Sequence, residues 1–401
     1  MRPDLNNSPV VVLSNNDGCI ISRTPEAKKL GIKMGAPLFK VLDFCNQNKV
    51  SIFSSNFSIY TNISNRIMNI IKEESPVVEV YSVDEAFADV QGIHDLENYA
   101  KQLRLKILKY VGVPVSIGIG RTKVLAKVAN KIAKTSEKAQ GVVILDSERL
   151  EDVALKRTDV GDIWGVGKQS ELKLQNLGIK TAHDFKVYTN KKLIQKLLTK
   201  VGLQIQYELA GESGFALDIV SVRKKEIMCS RTFGESTYSI ETLKESIANY
   251  ITNAAMKMRK QESLCIELTV FARTNPFKDG PQFYMYEKIK MANPTSDTCK
   301  LIKEAFTLID KGYRAGYEYK KAGVRLSDFF GTNEFQLDLF EQKSLADESK
   351  LMGVIDNINS TLGFDALKSG ACGFDKAAWD MKRDYKSPRF FTCWNELQEF
   401  K

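Results

Sequence analysis

Apolar residues recur along the chain at two different periods, and the switching between them outlines the fold. Val10 to Leu13 is a short continuous apolar run, followed by the turn-rich Ser14-Asn15-Asn16-Asp17-Gly18 and a second run through Ile20 and Ile21, which predicts two strands about a turn. Thr24, Pro25 and Gly31 bracket a short helix, because Thr caps, Pro suits the first turn and Gly the end. Ile63, Ile67, Ile70 and Ile71 fall at helical spacing within Ser58 to Glu74, and Val77 to Val83 and Ala86 to Val90 read as a strand pair meeting at Asp84-Glu85. Leu96 to Val111 predicts an amphipathic helix, Val115 to Gly120 a strand, Thr122 to Ser136 a further helix and Val142 to Leu145 a closing strand. Strands alternating with helices, some paired as hairpins, give a mixed α/β layer.

From about Ser147 to Gly214 the strand signal is lost and short helices with Gly-rich breaks predict a small helical domain, joined onward by the charged stretch Val220 to Lys225. Between Met228 and Asp328 the order becomes strand, long helix (Glu241 to Gln261), two strands (Leu264 to Thr274, Gln282 to Met291), helix (Ser296 to Leu308) and strand (Tyr317 to Leu326). This is βαββαβ, a self-contained α/β sandwich pattern. The remaining Gly331 to Lys401 begins polar and holds one more helix, Leu345 to Leu362. No long-period repeat or low-complexity tract interrupts this order.

Composition narrows the class. A chain of 401 residues is too long for one ordinary core, so two to four domains are expected. Its 43% hydrophobic content excludes global disorder. No apolar run approaches the roughly 20 residues of a membrane span, and Met1 to Pro9 lacks the basic head and apolar run of a secretion signal, so a cytoplasmic protein without membrane association is expected. Seven scattered cysteines without a C-x-x-C pair suit reduced thiols, and two histidines argue against a histidine-rich metal site. The 58 Lys and Arg against 49 Asp and Glu leave a net +9, whose distribution says more than its size.

Four constellations carry chemistry. Tyr81-Ser82-Val83-Asp84-Glu85-Ala86-Phe87 places two adjacent carboxylates between strands. At a hairpin tip both can converge on one Mg²⁺, with substrate phosphates completing the shell; an isolated pair also suits a solvated turn. Lys123, Lys127, Lys131, Lys134 and Lys138, at spacings of four, four, three and four, put five ammonium groups on one helical face behind the Gly-bracketed strand Ser116-Ile117-Gly118-Ile119-Gly120. A stripe without carboxylate partners calls for an anion, though an ordinary wet face has the same pattern. Val160-Gly161-Asp162-Ile163-Trp164-Gly165-Val166-Gly167-Lys168, with Leu172 and Leu177-Gly178-Ile179, resembles the hairpin of a helix-hairpin-helix unit, whose N–H groups can hold one DNA phosphate without reading a base; a plain inter-helix turn is the other reading. Gln336-Leu337-Asp338-Leu339-Phe340 is either a short docking peptide with Leu and Phe anchors or a buried tail strand.

Together these motifs resemble the Y-family translesion DNA polymerases, specifically the UmuC type. The resemblance runs almost end to end, through Arg2-Pro3-Asp4-Leu5, Val10 to Cys19, Glu26-Ala27-Lys28, Leu30 to Gly35, Ser82 to Glu85, Gly165-Val166-Gly167, Phe374-Asp375-Lys376, Ser387-Pro388-Arg389 and Trp394 to Leu397. It implies a multidomain α/β right-hand architecture: fingers over 9–55, palm over 56–145, thumb with the helix-hairpin-helix over 146–218, linker and little finger over 219–330, and a C-terminal extension over 331–401. It implies that Asp84 and Glu85 are catalytic and hold two Mg²⁺, and that Ser22, Lys28 and Lys134 contact a deoxynucleoside triphosphate. It further implies that Gly165, Gly167, Lys168 and Arg231 contact primer-template DNA. Gln336, Leu337, Leu339 and Phe340 look like the family's sliding-clamp peptide, and a UmuD-type subunit and RecA are implied as partners by the resemblance alone.

One departure bears on activity. Relatives begin with a strand carrying another metal-binding Asp and then the aromatic residue that excludes ribonucleotides; this sequence starts after both, so a strand from the middle of the palm sheet is expected to be missing. The leading expectation is translesion synthesis in SOS-type repair and mutagenesis. The alternative is an N-terminally truncated, catalytically silent factor that binds DNA and the clamp. A palm-fold nucleotide cyclase would share the carboxylate hairpin but would leave the helix-hairpin-helix and the docking peptide unexplained.

Overall fold

The computed structural model describes residues 2–218, 223–331, 334, 345–363, 366–373, 379–391 and 393–397, with the backbone alone for 345–349. Two compact units emerge, Met1–Asn56 with Val222–Pro388, and Phe57–Ser221 with Arg389–Lys401. No described helix is long and apolar enough to cross a membrane.

The first unit opens with strands β1 (Val10–Leu13) and β2 (Ile20–Arg23), helices α1 (Pro25–Lys29) and α2 (Leu38–Gln47), and strand β3 (Ser51–Ser54). The sheet order is β2-β1-β3, with β1 antiparallel to β2 and parallel to β3. The short α1 starts where the sequence predicts it: the Thr24 side chain accepts from the Ala27 N–H, and Pro25 occupies the first turn. Val11, Leu13, Ile20, Ala27, Leu38 and Cys45 form the core of this layer.

The second unit holds α3 (Phe57–Glu74), β4 (Val78–Val80), β5 (Ala86–Ala88), α4 (Leu96–Val111), β6 (Ile117–Gly120), α5 (Lys123–Thr135) and β7 (Val142–Leu145). Helices α6 (Glu148–Lys156), α7 (Lys168–Gln175), α8 (Ala182–Val187) and α9 (Lys191–Leu209) follow. Its strands fall into two separate two-stranded sheets, β4-β5 antiparallel and β6-β7 parallel, and among the described residues no strand joins them. Gly118 explains how α5 reaches its place on β6, since a Cβ there would lie 2.0 Å from the Asn130 nitrogen of α5. One hydrophobic core runs from Val124, Leu125 and Leu145 into Leu155, Leu174, Phe185 and Leu209, so the helical segment shares its interior with the strand–helix layer. The wholly buried Glu208 joins them: its carboxylate accepts from the backbone N–H groups of Val124 (3.1 Å), Gly214 (2.7 Å) and Phe215 (3.0 Å).

The first unit resumes with β8 (Glu226–Thr237), α10 (Ile240–Lys260), β9 (Ser263–Thr274), β10 (Tyr284–Thr295), α11 (Thr298–Gly312) and β11 (Tyr319–Gly331), then α12 (Leu345–Leu362). The βαββαβ order is as the periodicity predicts, and the sheet runs β10-β9-β11-β8 with every pair antiparallel. Leu243, Ile247, Ile251, Leu301 and Ile309 of the two helices bury one face of the sheet against Leu268, Val270, Val324 and Leu326. The Asp356 carboxylate fastens α12 through a two-pronged pair with the Arg259 guanidinium (2.7 and 2.8 Å).

Candidate active site

Strands β4 and β5 pair in register from Val78↔Ala88 to Val80↔Ala86, so residues 81–85 form the tip of a hairpin. The Tyr81 and Ser82 N–H groups donate to the Glu85 carbonyl (3.1 and 3.0 Å), closing the turn. Asp84 is exposed and its Oδ1 accepts from the Ser82 hydroxyl at 2.6 Å; Glu85 is half-buried.

Behind the tip lies the lysine face of α5. Lys127 donates to Glu85 Oε1. Lys123 pairs with the nearly buried Glu79 of β4, and Lys131 with Asp162. The expectation of a stripe without carboxylate partners is therefore corrected for these three residues: like-charge repulsion along the helix is offset one lysine at a time by acids that lie far away in sequence. Lys134, in the last turn of α5, and Lys138 are exposed.

The hairpin is also braced by rings. Trp164 makes edge-to-face contacts with Tyr81 (5.4 Å between centroids), Phe87 (5.6 Å) and Phe215 (5.7 Å), and Lys123 lies over the Phe87 ring at 5.2 Å. Trp164 immediately precedes Gly165, which adopts φ +91° and would otherwise press a Cβ onto Ile205 Cδ1 at 2.7 Å. Gly167 is the N-cap of α7 and Lys168 its first residue, both exposed. The predicted phosphate-binding turn and the carboxylate hairpin thus meet at a single tryptophan. Glu79, Trp164 and Phe215 are the residues that sequence reasoning passed over. The signal within reach was Trp164 inside the Gly-rich turn.

Asp84 and Glu85 offer hard oxygen donors of the kind Mg²⁺ takes. Among the described residues no three His, Cys, Asp or Glu converge on one point. Asp84 and Glu85 would supply only part of such an ion's oxygen donors, and Lys127 already donates to Glu85.

The other predicted site residues lie in the first unit. Ser22 is exposed on β2 opposite Val12, and Lys28 is exposed on α1. Arg231 is exposed on β8 opposite Ala322. On the neighbouring strands an open groove of about 560 Å³ is lined by Phe271, Arg273, Phe283, Tyr284 and Lys321. Gln336, Leu337, Leu339 and Phe340 lie outside the described residues.

The fold is that of the Y-family DNA polymerases. It matches a Y-family chimera of Dbh and Dpo4 segments with a TM-score of 0.63 at 22% identity, over 82% of this chain and 94% of that one. A post-insertion binary complex of Dbh DNA polymerase matches over the same shares with a TM-score of 0.54. The chain belongs to the impB/mucB/samB family and is of the UmuC type: residues 1–131 match that family and 224–339 its C-terminal domain. It is 38% identical to protein UmuC of Salmonella typhimurium, over 100% of this chain and 96% of that protein, and 35% identical to MucB of Escherichia coli, over 99% and 94%. A DNA polymerase IV of Clostridium acetobutylicum is 25% identical over 87% of this chain and 86% of its own length. Residues 349–399 match a domain of unknown function.

Proposed function

We propose that the chain is a template-directed translesion DNA polymerase, which extends a primer 3′ end with deoxynucleoside triphosphates and releases pyrophosphate. The observation that carries this reading is the Asp84-Glu85 tip, with Asp84 exposed and Glu85 half-buried, set against the lysine face of α5, with Lys127 on Glu85. When bound, two Mg²⁺ ions would activate the primer hydroxyl and neutralise charge on the leaving phosphates. Asp84 and Glu85 would hold them. Lys127 orients the Glu85 carboxylate, and Lys134, exposed on the same helix, supplies positive charge for the triphosphate, with Ser22 and Lys28 as further contacts. The amides at Gly165 and Gly167, with Lys168, hold a backbone phosphate of primer-template DNA; Arg231 and the aromatic-basic groove beside it suit more of the duplex backbone.

The finer reading assigns fingers, palm, thumb and little finger to 9–55, 56–145, 146–218 and 219–330. It assigns Gln336 to Phe340 to a sliding clamp, a cytoplasmic setting, SOS mutagenesis, and UmuD-type and RecA partners. These rest on likeness to UmuC-type proteins. A catalytically silent DNA- and clamp-binding factor is the second reading, favoured because among the described residues no third His, Cys, Asp or Glu joins Asp84 and Glu85. Primer extension separates the two. Asp84→Ala with Glu85→Ala is expected to abolish Mg²⁺-dependent extension while leaving DNA affinity within about twofold, because affinity comes from phosphate contacts elsewhere. Extension undiminished in the double variant would overturn the site, and no extension by the wild-type chain would favour the silent factor.

A further inference from the structure

The segment matched to a domain of unknown function has a docking site within its own chain. Asn16 and Asp17, in the turn between β1 and β2, both take left-handed backbone conformations (φ +58° and +50°), which non-glycine residues hold only when their surroundings fix them. What fixes them comes from two remote places. The Asn16 amide donates to the Thr232 carbonyl of β8 (2.8 Å), while its own oxygen accepts from the Lys382 N–H (3.0 Å). Asp17, 8% exposed, accepts the Asp384 N–H on Oδ2 at 2.7 Å. The two captured N–H groups are two residues apart, at the entry to the Asp384-Tyr385 turn.

The neighbouring contacts continue the same path. The Ser54 N–H at the end of β3 donates to the Tyr385 carbonyl (2.9 Å), and the Tyr385 N–H donates to Ser54 Oγ (3.1 Å). The Tyr385 ring packs on the β1–β3 core, and the Asn56 amide donates to Ser387 Oγ at 3.0 Å. Toward its start the segment crosses β8 where Gly234 leaves room: a Cβ there would sit 2.4 Å from the Asp380 carbonyl oxygen. Trp379 closes edge-to-face on Tyr250 of α10 at 5.7 Å and donates to Glu245.

We propose that residues Trp379 to Ser387 are an intramolecular clasp, and that the surface made by the Asn16-Asp17 turn, the end of β3 and the Gly234 stretch of β8 is its receptor. Recognition is of backbone N–H groups by two side chains, with the Tyr385 ring as the apolar anchor. The clasp holds residues 10–56 to the βαββαβ sheet, two stretches separated by the whole 57–221 segment. This assignment does not depend on the polymerase reading.

Hydrogen exchange on the full-length chain, read by mass spectrometry, tests it. In the wild-type protein the amides of Lys382, Asp384 and Tyr385 are expected to exchange about a hundredfold slower than in a free peptide, since each is hydrogen-bonded to the side chain of Asn16, Asp17 or Ser54. Asp17→Ala is expected to speed exchange in 382–385 and in the 14–18 turn by about tenfold while α10 stays protected, and Asp17→Asn, which keeps an acceptor, to change it by less than about threefold. Wild-type exchange at the free-peptide rate across 382–385 would overturn the proposal without any variant. So would an Asp17→Ala chain whose clasp remains as protected as the wild type.

Discussion

Lys127 and Glu85 stand 42 positions apart in sequence and 2.5 Å apart in space, the lysine on the face of α5 and the carboxylate at the tip of the β4–β5 hairpin. The lysine side chain is 23% exposed and the glutamate 41%, so the pair is partly screened by water and its worth lies in orientation more than in stability. Each lysine further along the same face meets a different acid or reaches solvent. The helix therefore presents a graded set of charges, neutralised nearest the hairpin and free at its far end.

Lys127→Ala should make the carboxylate easier for a cation to occupy. The half-saturating Mg²⁺ for primer extension is expected to fall by about threefold, since one competing unit charge at hydrogen-bond distance is gone. Because the carboxylate also loses its anchor, the maximal rate is expected to fall by about tenfold. A Mg²⁺ titration at saturating nucleotide measures both.

Trp164→Ala should loosen the hairpin that carries Asp84 and Glu85. Losing three ring contacts and leaving a void corresponds to about 3–5 kcal/mol of stability. The rate constant for nucleotide addition is expected to fall by more than the affinity for DNA, and Trp164→Phe, which keeps ring contacts with Tyr81 and Phe87, should recover most of both. Thermal unfolding together with single-turnover extension separates the structural loss from the kinetic one.

Binding to primer-template DNA should be nearly blind to sequence and strongly dependent on salt. Lys168→Ala and Arg231→Ala are each expected to weaken all duplexes alike and to reduce the slope of log K against log salt by about one. Fluorescence anisotropy over a range of salt concentrations, with two unrelated duplexes, reads the result.

Leu339→Ala with Phe340→Ala should remove binding to a sliding clamp and leave synthesis on a short primer unchanged without the clamp. Apolar anchors supply most of the energy of a short docked peptide, and tethering acts by raising local concentration at the primer end. Surface plasmon resonance on an immobilised clamp, run beside a clamp-free extension assay, tests both halves.

Much of this architecture is legible in the apolar spacing. The helix over Leu96–Val111, the strand Val142–Leu145 and the helix Leu345–Leu362 fall on their predicted bounds, and the βαββαβ order is complete. Helix α2 and strand β3 are not. Phe39 on α2 is 78% exposed, so the apolar letters of Leu38-Phe39-Lys40-Val41-Leu42 do not mark one buried face, and β3 is defined by its parallel pairing with β1 rather than by a pattern of its own. At the candidate site the carboxylate pair and the lysine periodicity are local and can be read directly. The acids that answer those lysines are not, because Glu79 and Asp162 reach α5 from opposite sides in sequence and nothing in their neighbours announces it. Trp164 itself stands out inside the Gly-rich turn, but its partners Tyr81 and Phe215 are hidden for the same reason, lying on either side of it and far from it in sequence.

The buried Glu208 gives the helical segment a history as well as a place. Its carboxylate caps the first turn of α5 from the far end of α9, and Leu155, Leu174 and Leu209 fill the same interior as Val124 and Leu125. Recombination between relatives at the end of β7 would hand each descendant half of this interior and an α5 whose opening N–H groups meet a foreign acceptor or none. Residues on the two sides of that junction must therefore change together, and grafting the Gly165-Val166-Gly167 turn from one relative to another should succeed only when α5 travels with it.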